Sequence, residues 1–398
     1  MRKILSLSLL AFTSLIADAG TDGLQKQLDE QKKVTQKLEQ KVQALSLKSQ
    51  QSVNSSASFS QNAYLPDIAF VLNMSAVGRD VKNSEYEKFE IPGFIDKDAN
   101  LPFNKDRGFN LNYAELALHS MVDPYFEAFA IFHISTTQIE IEEAYVQTTS
   151  LPLALKLKAG KFHSAFGRLN EKHHHSWNFD EQPIIYKSLF GPDMINDAGV
   201  QLQWIAPTDT YIMAGIEALQ GANDRSFGYA EENNLYVTYL KSSIDVGEDL
   251  SILAGASYLH GSNFDTNTSN PTNIFGLDLT LREQLGSYSA LIWQSEFLYR
   301  NKDLGTQTDK QSGLYSELIY QYNNNYLCGV KYDRILQNDT SNLDKYTAMI
   351  EYKPFPMSRL RLSYSYDRTK VIAGERRDIN SVILSLNIAA GAHGAHSY

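Results

Sequence analysis

The chain has 398 residues, 46 of them acidic and 36 basic, for a formal net charge of −10. That surplus of anions excludes the basic footprint of a nucleic-acid-binding protein and mildly favours cations as partners. A single cysteine, Cys328, excludes an internal disulfide, so stability must come from burial or from a closed hydrogen-bond network.

The sequence opens "MRKILSLSLLAFTSLIADAG". Arg2 and Lys3 form a positive n-region, and Ile4 to Ala17 form an apolar stretch too short to span a bilayer. A small-x-small site ends at Ala19, so residues 1–19 read as a secretory signal peptide. In residues 20–46 the period changes. Leu24, Leu28, Gln31, Thr35, Leu38, Val42 and Leu45 fall alternately four and three apart, the seam of a short coiled coil. About three heptads are marginal alone, so the seam is expected to form where other contacts already bring chains together. Residues 47–65, rich in Ser, Gln and Asn, read as a linker.

From residue 66 to 398 the period is two. Phe275, Leu277, Leu279 and Leu281 alternate with Gly276, Asp278 and Thr280, and Leu360, Leu362, Tyr364 and Tyr366 alternate with Arg361, Ser363 and Ser365. Each strand thus has one apolar and one polar face. Charged residues fall mid-strand on the polar face: Glu115, Glu140, Glu142, Lys156, Lys158, Lys331, Glu351 and Arg361. A wet lumen accommodates them, whereas the core of a soluble sandwich does not. Tyr and Phe recur at segment ends, as an interfacial girdle requires. The predicted fold is therefore all-β, a transmembrane antiparallel β-barrel. Its strands are expected near 67–79, 108–122, 125–134, 138–148, 152–162, 198–206, 210–220, 232–246, 249–261, 272–284, 288–300, 312–322, 325–335, 343–353, 357–368 and 378–388. Short turns such as Asp123-Pro124 and "PFP" at 354–356 alternate with long polar connections such as "GSNFDTNTSNPT", "NKDLGTQTDK" and "TKVIAGERRD". Short turns are expected in the periplasm and long loops outside. An even strand count puts the coiled coil in the periplasm as well.

The longest connection, about 163–197, is expected to fold inward as a constriction loop. It carries "EKHHHSWNFDEQP". The residues expected to line the narrowest point are His163, Arg168, His173, His174, His175, Asp180 and Glu181. Neutral imidazole suits zinc, so His173, His174 and His175 are the candidate metal ligands, although adjacent histidines match no strict metal motif. No other cofactor is implied. The plainer expectation is a polar loop hydrogen-bonded to the barrel wall. The sequence has no "GxSxG" and no "HExxH", and no enzymatic activity is expected.

"AGKFHSAFGRLN" at 159–170, "FDEQPII" at 179–185 and "GPDMINDAGVQLQW" at 191–204 resemble, in that order, sixteen-stranded outer-membrane porins of the phosphate-selective type. "HHHSW", "EALQG" at 217–221 and the tail "GAHGAHSY" are closer to a group of outer-membrane proteins described as zinc-regulated. The resemblance covers roughly residues 65–398. It implies a homotrimeric porin in the outer membrane of a Gram-negative bacterium, in contact with lipid and passing small hydrophilic solutes or ions. The basic run of phosphate-type pores is missing: Lys161, Arg168, Lys172 and Lys187 are opposed by Glu171, Asp180, Glu181, Asp193 and Asp197. A mild preference for cations is therefore expected. The rival reading is an adhesin or a metal-uptake receptor without an open pore.

Overall fold

The computed structural model describes residues 66–391 apart from 97–102, 224, 229–232, 265–267 and 338–339. The expected signal peptide, coiled coil and linker, and the tail histidines His393 and His396, lie outside the described residues. The long strands are β1 (Asp67–Arg79), β2 (Gly108–Met121), β3 (Phe126–Ile134), β4 (Ile139–Thr148), β5 (Leu155–His163), β6 (Asn196–Ile205), β7 (Tyr211–Leu219), β8 (Leu235–Val246), β9 (Leu250–Asn263), β10 (Asn270–Gln284), β11 (Ala290–Asp303), β12 (Thr308–Gln321), β13 (Tyr326–Gln337), β14 (Thr340–Tyr352), β15 (Ser358–Ile372) and β16 (Glu375–Gly391). Each pairs antiparallel with its neighbours in sequence, and β1 pairs with both β2 and β16. The sheet is closed and leaves no edge, so the wall satisfies its own backbone groups without water.

The alternation places side chains as expected for a wall between lipid and an inner lumen. Ile350 is 59% exposed and Leu362 43%, while their neighbours Glu351 and Arg361 are 2% and 5% exposed. The apolar face points out and the charged face points in, which is the reverse of a soluble domain. Tyr125, Tyr288, Tyr322, Tyr326, Tyr352 and Phe355 stand exposed at or beside the short-turn end, as an aromatic girdle.

Two departures matter. Several connections expected to be long are strand extensions closed by tight turns. β15 and β16 stay paired to Ile372–Glu375, because Ala373 and Gly374 both take positive φ (53° and 80°), the backbone of a primed hairpin turn. The same occurs between β11 and β12, where only residues 304–307 remain as the turn. The second departure is at β4. Across β3, Ile131 faces Glu143 but Phe132 faces Ile141, so Glu142 is the extra residue of a β-bulge. A bulge re-aims side chains. Here it leaves Glu142 and Glu143, adjacent in sequence, both turned inward, where both meet the His173 ring.

The core lies inside the barrel. The connection after β1, with helix α1 (Asn83–Tyr86) and a two-residue strand Phe89–Glu90 paired to β15, buries Tyr86, Phe89, Ile91, Phe94 and Ile95. They pack with Phe166, Leu169, Trp177, Ile185, Leu189 and Phe190 of the 163–197 loop and with the wall residues Leu219, Val237, Leu259, Ile274, Leu298 and Ile335. Full burial of an aromatic or aliphatic side chain is worth about 1.5–3 kcal/mol, so this apolar filling holds both loops inside. The inward fold of the first loop was not anticipated.

The inside-out wall predicts the direction of charge substitutions. Leu362→Arg should destabilise the barrel by about 2–4 kcal/mol in bilayers, and Tyr322→Arg, at the short-turn rim, by about 0–1 kcal/mol. Reversible urea unfolding in lipid vesicles checks the difference.

Candidate functional site

The loop begins where β5 ends. At its first corner Gly167 has φ +64°, and a Cβ there would lie 2.3 Å from the Tyr186 hydroxyl and 2.5 Å from Glu296 Oε2. Only glycine allows both the turn and that approach. The loop's backbone then meets carboxylates of the wall. Ala165 N donates to Glu217 Oε1 on β7 at 2.9 Å. Arg168 N and Leu169 N donate to Glu296 on β11 at 2.9 and 3.0 Å. Glu296 also accepts from the hydroxyls of Tyr186, at 2.6 Å, and Tyr315. Helix α2 (Ile184–Phe190) opens with Ile184 N donating to Asp333 on β13 at 3.0 Å. Asn178 donates to Glu317 on β12 at 3.0 Å, and Lys241 on β8 donates to Glu171 at 3.1 Å. The loop is thus tied to strands all round the barrel, not to one side of it.

The expected constriction residues all lie inside the barrel, but they divide into three settings. Asp180 pairs with Arg361 at 2.9 Å and accepts from Ser363 and Ser385, while Arg361 also pairs with Glu351 at 2.5 Å. Glu181 pairs with Lys345 at 2.7 Å. Burial alone would raise the Glu181 carboxyl, but Lys345 outweighs it and holds it at about 2. Both acids are therefore consumed in pairing. Arg168 is placed by its backbone on Glu296.

The histidine triplet does not converge on one point. His174 starts a short 3-10 turn (His174–Ser176) with His173 still extended before it, so successive rings diverge. His174 stacks on Phe103 (centroids 4.1 Å apart) and contacts Tyr113 Oη and the Asp180 carbonyl at 3.2 and 2.9 Å through its two ring nitrogens. Burial pushes its imidazole down to about 4. His175 Nδ1 lies 3.1 Å from Glu115. The rings of His173 and His175 stack at 5.7 Å and both reach Glu115, while His174 turns to Phe103 and Tyr113. His173 also belongs with His163, Glu142, Glu143 and Glu115. His173 Nε2 is 2.9 Å from Glu143 Oε2, and its Nδ1 is 3.4 Å from Glu142 Oε1 and 3.9 Å from Glu115 Oε2. His163 Nε2 is 3.6 Å from Glu142 Oε1. Burial opposes charge on His173, yet Glu142 and Glu143 outweigh it and hold the imidazole well above its usual range. Glu115 and Glu142 were read as lumen-facing but not joined to the site. Glu143 was missed, and its only signal was the doubled Glu in an alternating strand. Beside this group a cavity of about 10 Å³, space for about one water, lies among His174, His175, Asp180, Arg359, Arg361 and Asn387.

No family model matches the chain. A protein of Aquifex aeolicus (strain VF5), described as uncharacterized, is 38% identical over 384 residues, covering 85% of this chain and 81% of its own. Among solved structures, the anion-selective porin from Comamonas acidovorans superposes with a TM-score of 0.56 at 10% identity, over 82% of this chain and 100% of that one. The outer membrane channel DcaP of Acinetobacter baumannii gives 0.55 at 13% identity, over 83% and 99%. OmpT, an outer membrane protein of Vibrio cholerae solved as a trimer form, gives 0.52 at 12%, over 82% and 100%. The fold is that of outer-membrane porins.

Two predictions follow from these anchors. Glu296→Ala leaves buried donors unmet, at about 1–3 kcal/mol each. It should make the 163–197 segment cleavable by external protease while the barrel stays intact, as mass spectrometry of the fragments would show. Second, burial pushes the Lys187 ammonium of α2 down to about 7, with Lys370 adding to the effect. The unfolded chain, with its lysine near 10.4, binds more protons than the folded one between about pH 7 and 10.4. This group should therefore make stability rise across that window. Lys187→Met should flatten the rise, read as urea midpoints against pH.

Proposed function

The chain belongs to the same family as the Aquifex aeolicus protein, and from that premise and its barrel we propose that it is an outer-membrane channel for small hydrophilic solutes or ions. The observation that carries this reading is the inside-out wall: lipid-compatible side chains face outward and ionised ones line a lumen crossed by a hydrogen-bonded loop. Such a wall has no use in a soluble protein, and a narrowed polar lumen is what a solute filter requires. The barrel would sit in the outer membrane as a homotrimer, with the residue 20–46 coil reinforcing it on the periplasmic side. OmpT of Vibrio cholerae, with the same fold, is described in a trimer form.

Selectivity for phosphate is not favoured by the lumen. Several of its basic side chains are paired with acids, Arg361 with Asp180 and Glu351, Lys345 with Glu181, and Lys241 with Glu171. The carboxylates Glu115, Glu142 and Glu143 instead face histidines. Like charge in a low-dielectric throat raises the barrier for anions, so the expected preference is mildly cationic. The apolar packing between the two inward loops is the observation that favours the rival reading, a receptor or adhesin without an open pore.

Planar-bilayer recording separates the two. A channel should give steady ohmic steps, with a reversal potential in a salt gradient displaced toward the cation side at pH 7. Glu296→Ala, which loosens the loop, should enlarge the steps. An electrically silent wild-type barrel that stays silent with Glu296→Ala would favour the receptor. Clear anion selectivity would return the phosphate-type channel to first place.

A further inference from the structure

The lumenal cluster at β2, β4 and the end of β5 has a feature that solute filtering does not use. Three carboxylates, Glu115, Glu142 and Glu143, come together on the wall, and their ion-pair partners among the described residues are all histidines: His163, His173 and His175. Lysine and arginine pair with other buried acids of the lumen, at Glu351, Glu181 and Asp367, while Glu217 and Glu296 are met by backbone N–H and hydroxyl donors. Glu142 Oε2 is buried and finds no hydrogen-bond partner among the described residues. Buried carboxylates are costly unless paired or bound to a metal.

The distances fit an ion. Ligand atoms about 2.0–2.2 Å from a tetrahedral centre stand about 3.4 Å from one another. Glu142 Oε1 lies 3.4 Å from His173 Nδ1 and 3.6 Å from His163 Nε2, and donor atoms of Glu142, His163 and His173 all fall within 4.8 Å of one another. Glu115 Oε2, 3.9 Å from His173 Nδ1, stands outside this trio and is engaged by His175 Nδ1 at 3.1 Å. The other nitrogen of the His173 ring is held at 2.9 Å by Glu143 Oε2. That is the carboxylate–histidine arrangement that fixes a metal-ligating imidazole and raises its basicity. The rings of His163 and His173 are edge to face at 5.3 Å, so each can point a nitrogen at one centre without stacking. Two imidazoles with carboxylates select a borderline divalent transition metal such as zinc over the harder magnesium or calcium.

We propose that Glu142, His163 and His173 bind one divalent transition-metal ion that clamps the inward loop to the barrel wall. The ligands come from β4, the end of β5 and the middle of the loop, so the ion would bridge elements otherwise joined by hydrogen bonds. This inference goes beyond the channel reading and does not depend on it, because its test is metal binding in detergent and not conductance.

The full chain, refolded in detergent and stripped with chelator, is titrated with Co²⁺ and then with Zn²⁺. Wild type should take up one Co²⁺ per chain, develop the visible absorption of a tetrahedral site, and lose it to one equivalent of Zn²⁺. His163→Ala and His173→Ala should weaken binding at least tenfold. Glu143→Gln, which keeps shape but removes the second carboxylate of the His173 ring, should weaken it about 10–100-fold. His174→Ala should bind as wild type does. Heat-resistant gel migration shows which variants fold; where a histidine variant does not, wild type, Glu143→Gln and His174→Ala decide. The proposal is overturned if wild type shows no saturable uptake near one ion per chain. It is equally overturned if Glu143→Gln binds unchanged, or if His174→Ala weakens binding as much as His173→Ala.

Discussion

Polar groups inside this barrel must find partners within it. The outer wall meets hydrocarbon, so the strands send their ionised side chains inward. The loop then enters that space with its own unpaired backbone groups and charges. The match between them organises the interior. Wall carboxylates at Glu217, Glu296 and Asp333 accept loop N–H groups, and wall cations at Lys241, Lys345 and Arg361 meet loop acids. Hydrogen bonds to charged groups are worth about 1.5–3 kcal/mol each, more than neutral ones. A loop held by many of them has little freedom to swing out.

The apolar filling answers the same constraint from the other side. Tyr86, Phe89, Phe166, Ile185, Leu189 and Phe190 pack with wall residues that are themselves apolar, such as Leu259 and Leu298. Dry contact there raises the strength of the neighbouring ion pairs by lowering the local dielectric. The lumen is therefore layered into apolar packing between the two inward loops and a band of fixed charges along the wall. Within the charged band His174, His175, Asp180, Arg359 and Arg361 surround the small cavity.

Much of the wall was legible in the sequence, because a strand between lipid and a lumen has a strict period of two. All the expected strands are present, most within a few residues of their expected bounds. Strand ends were less legible. A polar stretch such as "TKVIAGERRD" reads as a loop until Ala373 and Gly374 are seen to make a two-residue turn. The inward course of the 163–197 loop was readable from its length. That of residues 80–107 was not, because Tyr86, Phe89, Ile91 and Phe94 are scattered through a polar segment with no fixed period. The histidine cluster was half legible. His163 and His173 were among the residues expected in the loop, but the turn that begins at His174 sends that ring to Phe103 while His173 and His175 stay stacked beside Glu115. The partners that matter, Glu142 and Glu143, are brought inward together by a bulge that alternation alone cannot express.

The central claim is that the loop lies across the lumen, anchored to the far wall. Proximity of Asn178 to Glu317, whose side chains meet at 3.0 Å, tests it most directly. With Cys328 replaced by Ser, cysteines at positions 178 and 317 should be joined by a short bifunctional thiol reagent in the folded barrel in membranes, seen as one linked peptide after digestion. If that link fails to form while a bulky impermeant maleimide added from outside labels position 178 rapidly, the loop lies outside the lumen, and the account given for the interior is wrong.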